Sequence, residues 1–129
     1  MTSLMATGRE GATRLGAARM AFGVAALAAP TTFGRAWIGD EAGSSVVAVI
    51  TRAFGVRDVA LGLGAVLAAR RGAPVRGWVE AGLLCDACDV IATLTSGLPP
   101  VKKVPIAASA LTAVVGGVLS LQGLEAAQA

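Results

Sequence analysis

Six ionisable side chains, Arg19, Arg52, Arg57, Asp58, Asp86 and Asp89, sit inside stretches that are otherwise apolar enough to span a membrane. An unpaired charge at the centre of a bilayer costs roughly 2.5–3.5 kcal/mol. Three cations and three anions in such surroundings must face inward and pair, or be used. Asp86 and Asp89 are three residues apart, so on a helix they project together. Buried paired carboxylates can bind a cation or relay a proton, and neighbouring guanidiniums tune them. The same residues can form a structural ion-pair network that fixes the register of a bundle. The architectural role is favoured, because nothing in the sequence identifies a substrate.

Cys85 and Cys88 form a Cys-Asp-Ala-Cys motif. A C-x-x-C can be a redox pair or half of a zinc site, and quinone-coupled four-helix membrane oxidoreductases use one. Here there is no second Cys pair to pass electrons on and no His to complete a metal site. A disulfide between the two positions would strain a regular helix, so small buried hydrophobes are the simpler reading. Without His, the Ser and Thr hydroxyls have no triad base. The chain therefore reads as non-enzymatic, with no catalytic residue, metal site or cofactor expected. A membrane thiol oxidoreductase is the remote alternative.

The elements that must position these residues are long and helical. The chain has 129 residues, of which 55% are hydrophobic and 15% charged, and its mean hydropathy is +0.72. A soluble domain usually carries about 25% charged residues, so the deficit points to a lipid bilayer. Four apolar stretches, at about 13–29, 44–69, 77–96 and 104–123, approach the roughly 20 residues that a spanning helix needs. They lack the alternation of strands. Pro30-Thr31-Thr32, Gly39 to Gly43, Arg70 to Pro74 and Gly97 to Pro100 mark the breaks, and Pro105 suits the first turn of the last helix. The expected fold is all-α: a four-helix transmembrane bundle with short loops, forming a single integral-membrane domain over residues 1–129.

Helical geometry then sorts the faces. Gly82, Cys85, Asp86, Asp89, Thr93 and Ser96 share one side of the third helix, and Leu83, Leu84, Val90, Ile91 and Leu94 cover the rest. In the second helix Thr51, Gly55, Asp58 and Gly62 share a face, with Arg52 at its margin. Arg57 points roughly the other way, toward a different neighbour, water or a second subunit. Small residues on such faces let another backbone approach closely. Measured from the loop between these two helices, Arg57 and Asp58 lie roughly 17–18 Å deep and Asp86 and Asp89 roughly 13–18 Å. Arg52 lies about 25 Å deep and Arg19 roughly 9–12 Å. All six are thus expected in one layer near the midplane. Ala21-Phe22-Gly23-Val24 recurs as Ala53-Phe54-Gly55-Val56, a faint echo consistent with similar Gly surfaces on the first two helices.

Lys and Arg beside the spans favour cytoplasmic N- and C-termini. Arg9, Arg14, Arg70, Arg71 and Arg76 would lie inside, against Arg35, Lys102 and Lys103 outside. A rival reading makes Arg9, Arg14 and Arg19 the n-region and 20–29 the h-region of a cleaved signal peptide. The net charge of +3 is dispersed at the ends of the apolar stretches, which suits anionic headgroups and not a nucleic acid. Trp37 and Trp78 near span ends suit the aromatic belt.

Several motifs together carry a resemblance. An apolar first helix ends in Pro30, Trp37-Ile38-Gly39 follows, then Arg52-Ala53-Phe54-Gly55-Val56-Arg57-Asp58 with Leu61-Gly62 behind it, and later Asp86-Ala87-Cys88-Asp89. From about 15 to 117 the chain resembles the small four-helix membrane proteins of bacterial, chiefly actinobacterial, genomes catalogued as families of unknown function. The R-x-x-G-x-R-D and D-x-x-D elements are the most specific parts, and the two Cys lie outside the pattern. The resemblance implies an integral helical protein of the plasma membrane and carries no activity. The expected function is that of an accessory or oligomeric membrane component whose partners are the bilayer and either further copies or a larger membrane protein. A proton- or cation-coupled carrier or channel using Asp86 and Asp89 is the alternative.

Overall fold

The computed structural model describes residues 8–126. Residues 1–7 and 127–129, the ends of the single domain expected from the sequence, lie outside the described residues. Those described are helical throughout, with no strand: α1 (Gly8–Ala28), α2 (Pro30–Ile38), a 3-10 helix (Gly39–Gly43), α3 (Ser45–Arg70), α4 (Arg76–Thr95) and α5 (Pro100–Ala126).

Three boundaries differ from those expected. The first helix starts five residues earlier, at Gly8. The segment after it is a helix of its own and not a loop. Ala29 breaks α1 at φ −137°, and Pro30 then occupies the first turn of α2, where a residue without an N–H is tolerated. The last helix starts at Pro100, which takes the first-turn role given to Pro105. Pro105 therefore stands inside α5, and the Val101 carbonyl lacks its helical donor. Elsewhere the ends follow ordinary capping. The Val47 N–H donates to Ser44 Oγ at 3.2 Å, and Gly72, at φ +69°, makes the turn between α3 and α4.

The four long helices form a ring in which α1 touches α3 and α5, α5 touches α4, and α4 closes less extensively on α3. The α1–α3 seam is built from glycine. A Cβ on Gly23 would come 2.5 Å from the Gly55 carbonyl oxygen, and one on Gly55 2.7 Å from that of Gly23. Gly16 faces Gly62 in the same way, with 2.8 Å to the carbonyl oxygen. These two pairs fix an antiparallel register and put Arg19 opposite Asp58. The repeated tetrapeptide thus packs against its own echo.

Side-chain size is distributed inside-out for a protein in water. The buried apolar residues are mainly small, such as Ala12, Ala26, Ala65 and Ala68, while Val46, Val49, Leu84, Ile91, Leu94, Val101, Val104 and Leu111 are exposed. Among the described residues one helix, α5, is long and apolar enough to cross a membrane by length and composition, and little of its apolar span is buried.

Candidate functional site

Glycine spacing in α1 and α3 brings Arg19 to Asp58, and Gly82 in α4 leaves room for the Arg19 guanidinium, which lies 3.0 Å from where a Cβ would stand. Arg19 Nη1 donates to Asp58 Oδ1 at 2.8 Å, and its Nη2 donates to Asp86 Oδ2. Arg57 makes a two-pronged pair with Asp89, at 3.2 and 2.7 Å. Its Nη2 also lies 3.8 Å from Asp58 Oδ1. The result is one continuous chain of charge, Asp86–Arg19–Asp58–Arg57–Asp89, across α1, α3 and α4. The Arg19, Asp58 and Asp86 side chains are at most 10% exposed, whereas Arg57 and Asp89 are 27% and 29% exposed. The inner part of the chain is sealed and the Arg57–Asp89 end is open.

Five of the six expected residues therefore meet, and Arg52 does not. It is exposed and makes no ion pair among the described residues. The cause is angular: six residues on a helix turn through about 600°, which leaves Arg52 about 120° away from the Asp58 direction. Arg57 also departs from expectation. It stands only about 100° from Asp58, and its long side chain reaches inward to Asp89 instead of toward lipid or a second subunit. On the way it passes over the Phe54 ring, with Cζ 4.8 Å from the centroid. Its Nε is buried and makes no hydrogen bond.

Above the charge layer lies a cavity of about 550 Å³. All five networked residues line it, and so do Phe22, Phe33, Trp37, Phe54, Thr93 and Ser109. In α3 its lining runs from Asp58 to Val47, roughly 16 Å at the helical rise. The amphipathic helix α2 covers the far end with Phe33, Gly34 and Trp37. Phe22 meets Phe33 edge-on at 4.7 Å and Trp37 at 5.8 Å. This cavity is not legible in the sequence, because Trp37 reads as an interfacial anchor and α2 as a loop. The recurrence of Phe22 and Phe54 each about one turn from a buried charge was the available signal.

Cys85 and Cys88 carry free thiols; Cys88 is exposed, and neither lines the cavity. Among the described residues no group of three or more His, Cys, Asp or Glu is disposed to hold a metal ion. The two ends of the bundle are tied by exposed groups. At one, Arg76 bonds Glu80 and Glu125 at 2.6 and 3.1 Å. At the other, Lys102 bonds both Glu41 oxygens at 2.8 Å, which holds the Glu41 carboxyl below its ordinary value. Lys103 Nζ donates to the Leu94 carbonyl at 3.1 Å, satisfying the C-terminus of α4. Comparisons with protein-family models, curated proteins and solved structures find no match.

Proposed function

We propose that this chain is a multi-pass protein of the bacterial plasma membrane in which α1, α3, α4 and α5 cross the bilayer with both ends cytoplasmic. In this reading it is a non-enzymatic accessory or oligomeric component whose charge layer locks the register of the bundle. The observation that carries it is the inversion of side-chain size and charge: bulky aliphatics point outward while guanidiniums and carboxylates pair within. Lipid solvates the former, and only partners inside the protein can compensate the latter. The charges that interrupt α3 and α4 are mostly these internal ones. The orientation rests on Arg9, Arg70, Arg71 and Arg76, which gather at the end opposite Lys102 and Lys103; the Arg9 Nη2 bond to the Ala73 carbonyl, at 2.5 Å, marks that end.

The test is extraction followed by purification. The chain should stay in the membrane pellet at alkaline pH, leave it only with detergent, and bring a partner or a second copy with it in mild detergent. Recovery in the soluble fraction would remove the membrane reading. A lone monodisperse monomer would remove the accessory one. The cavity meeting the open Arg57–Asp89 end favours a second reading, a cation- or proton-coupled carrier with Asp86 and Asp89 as the working pair. It requires coupled flux in reconstituted vesicles that Asp86→Asn with Asp89→Asn abolishes.

A further inference from the structure

We infer that the cavity above the charge layer is a binding site for a small hydrophobic monocation of the alkylammonium or quaternary ammonium class. The site goes beyond the architectural reading and stands whether or not the protein transports anything.

Three observations converge. The first is charge. With Arg52 outside, two guanidiniums face three carboxylates, so the fully ionised layer carries one surplus negative charge. No other cationic side chain lines the cavity. In a low-dielectric interior such a surplus is costly unless a cation meets it or one carboxyl takes up a proton. Asp89 lines the cavity and is the most exposed of the three carboxylates, so an incoming cation would meet it beside the Arg57 guanidinium that bonds both its oxygens.

The second is the wall. The chain contains three Phe and two Trp, and all three Phe and one Trp line this one cavity. Phe54 already holds Arg57 over its face. Phe22, Phe33 and Trp37 form a cluster with ring centroids 4.7–6.0 Å apart. Phe54 stands at the charge layer and the Phe22, Phe33 and Trp37 cluster walls the far end. The cavity therefore suits an organic cation whose apolar body packs on the rings while its weakly hydrated head reaches the carboxylates. It suits an inorganic ion poorly, because the rest of the lining is mainly apolar and the three carboxylates are already engaged by Arg19 and Arg57.

The third is size. About 550 Å³ falls within the roughly 300–1,000 Å³ of ordinary small-molecule sites. An aryl-alkylammonium fits that space, with its positive head at the Asp89 end and its apolar part against α2.

Trp37 lines the cavity and Trp78 does not, which supplies the reporter. In the full chain carrying Trp78→Phe, in detergent, benzyltrimethylammonium should change Trp37 fluorescence saturably. Its uncharged isostere neopentylbenzene and the anion phenylmethanesulfonate should not. Asp89→Asn should weaken the ammonium by roughly tenfold, and Phe33→Leu, which leaves the charge layer intact and removes apolar contact at the far end, by about a few-fold. Equal saturable responses to the charged and neutral probes would overturn the proposal, as would no saturation by the ammonium or an unchanged affinity in both variants. Saturable binding without flux in vesicles would keep this site and remove the carrier reading.

Discussion

Arg19 is the hub of the charge layer, since it alone joins the carboxylates of two other helices. Removing it leaves Asp58 and Asp86 buried with no cation between them. Breaking a buried pair in this way typically costs about 3–5 kcal/mol, because the surviving charge is uncompensated. Arg19→Met should therefore lower the thermal midpoint in detergent sharply. Arg52→Met, at an exposed position, should stay within about 0.5 kcal/mol of the parent. Equal effects of the two substitutions would contradict the placement of both residues. The identities of the buried ions were legible in the sequence, because charge inside apolar stretches is conspicuous. Their partners were only partly so. Arg52 and Arg57 differ by five positions in one helix, and whether a long side chain sweeps inward or outward depends on the neighbour it meets.

For the helices, the α1–α3 seam is the feature most sensitive to substitution. Gly23 and Gly55 approach each other's carbonyl oxygens so closely that a single methyl must push the backbones apart. Gly55→Ala should cost about 1–3 kcal/mol, as overpacking does in other cores. It should also weaken the Arg19–Asp58 pair held between the two glycine contacts. Gly77→Ala, where nothing lies near the added carbon, is the control: Ala has the higher helix propensity, so stability there should hold or rise, and a loss similar to that of Gly55→Ala would show that close approach is not the cause. The long helices were readable from their apolar length and punctuation. The short α2 was not, because Pro30 reads equally as a stop for one helix and as the first residue of the next. The 3-10 helix that follows α2 supplies a pH test. Glu41 is held below its ordinary value of 4.5 by Lys102, so the tie is intact above that value and is lost as pH falls through the lowered one. The Glu41 carboxyl followed by NMR should titrate late, and Lys102→Gln should move it back toward its ordinary value, with a backbone hydrogen bond still holding it down. An unshifted Glu41 in the parent chain would contradict the contact.

Across the whole molecule, two asymmetries have to be explained together. Large aliphatics face outward while small and charged residues fill the interior, and Arg-rich and Lys-rich ends lie at opposite poles. The proposed placement in a bilayer would account for both. In water the exposed aliphatics of α3, α4 and α5 would be a large aggregation surface. The all-helical class was legible from composition and period. The cavity was not, since it comes from the loose closure of α4 on α3 and from α2 lying across the end, both consequences of packing. The most direct measurement places a single nitroxide, in a Cys85→Ser, Cys88→Ser background, at Val24, Val56, Ile91 or Val115. Each of these is 50–62% exposed, and each belongs to a different long helix. In reconstituted bilayers all four labels should collide freely with oxygen and be shielded from a water-soluble nickel chelate. Ready collision with the chelate at these positions would place them in water and contradict a bundle that turns its charges inward because lipid surrounds it.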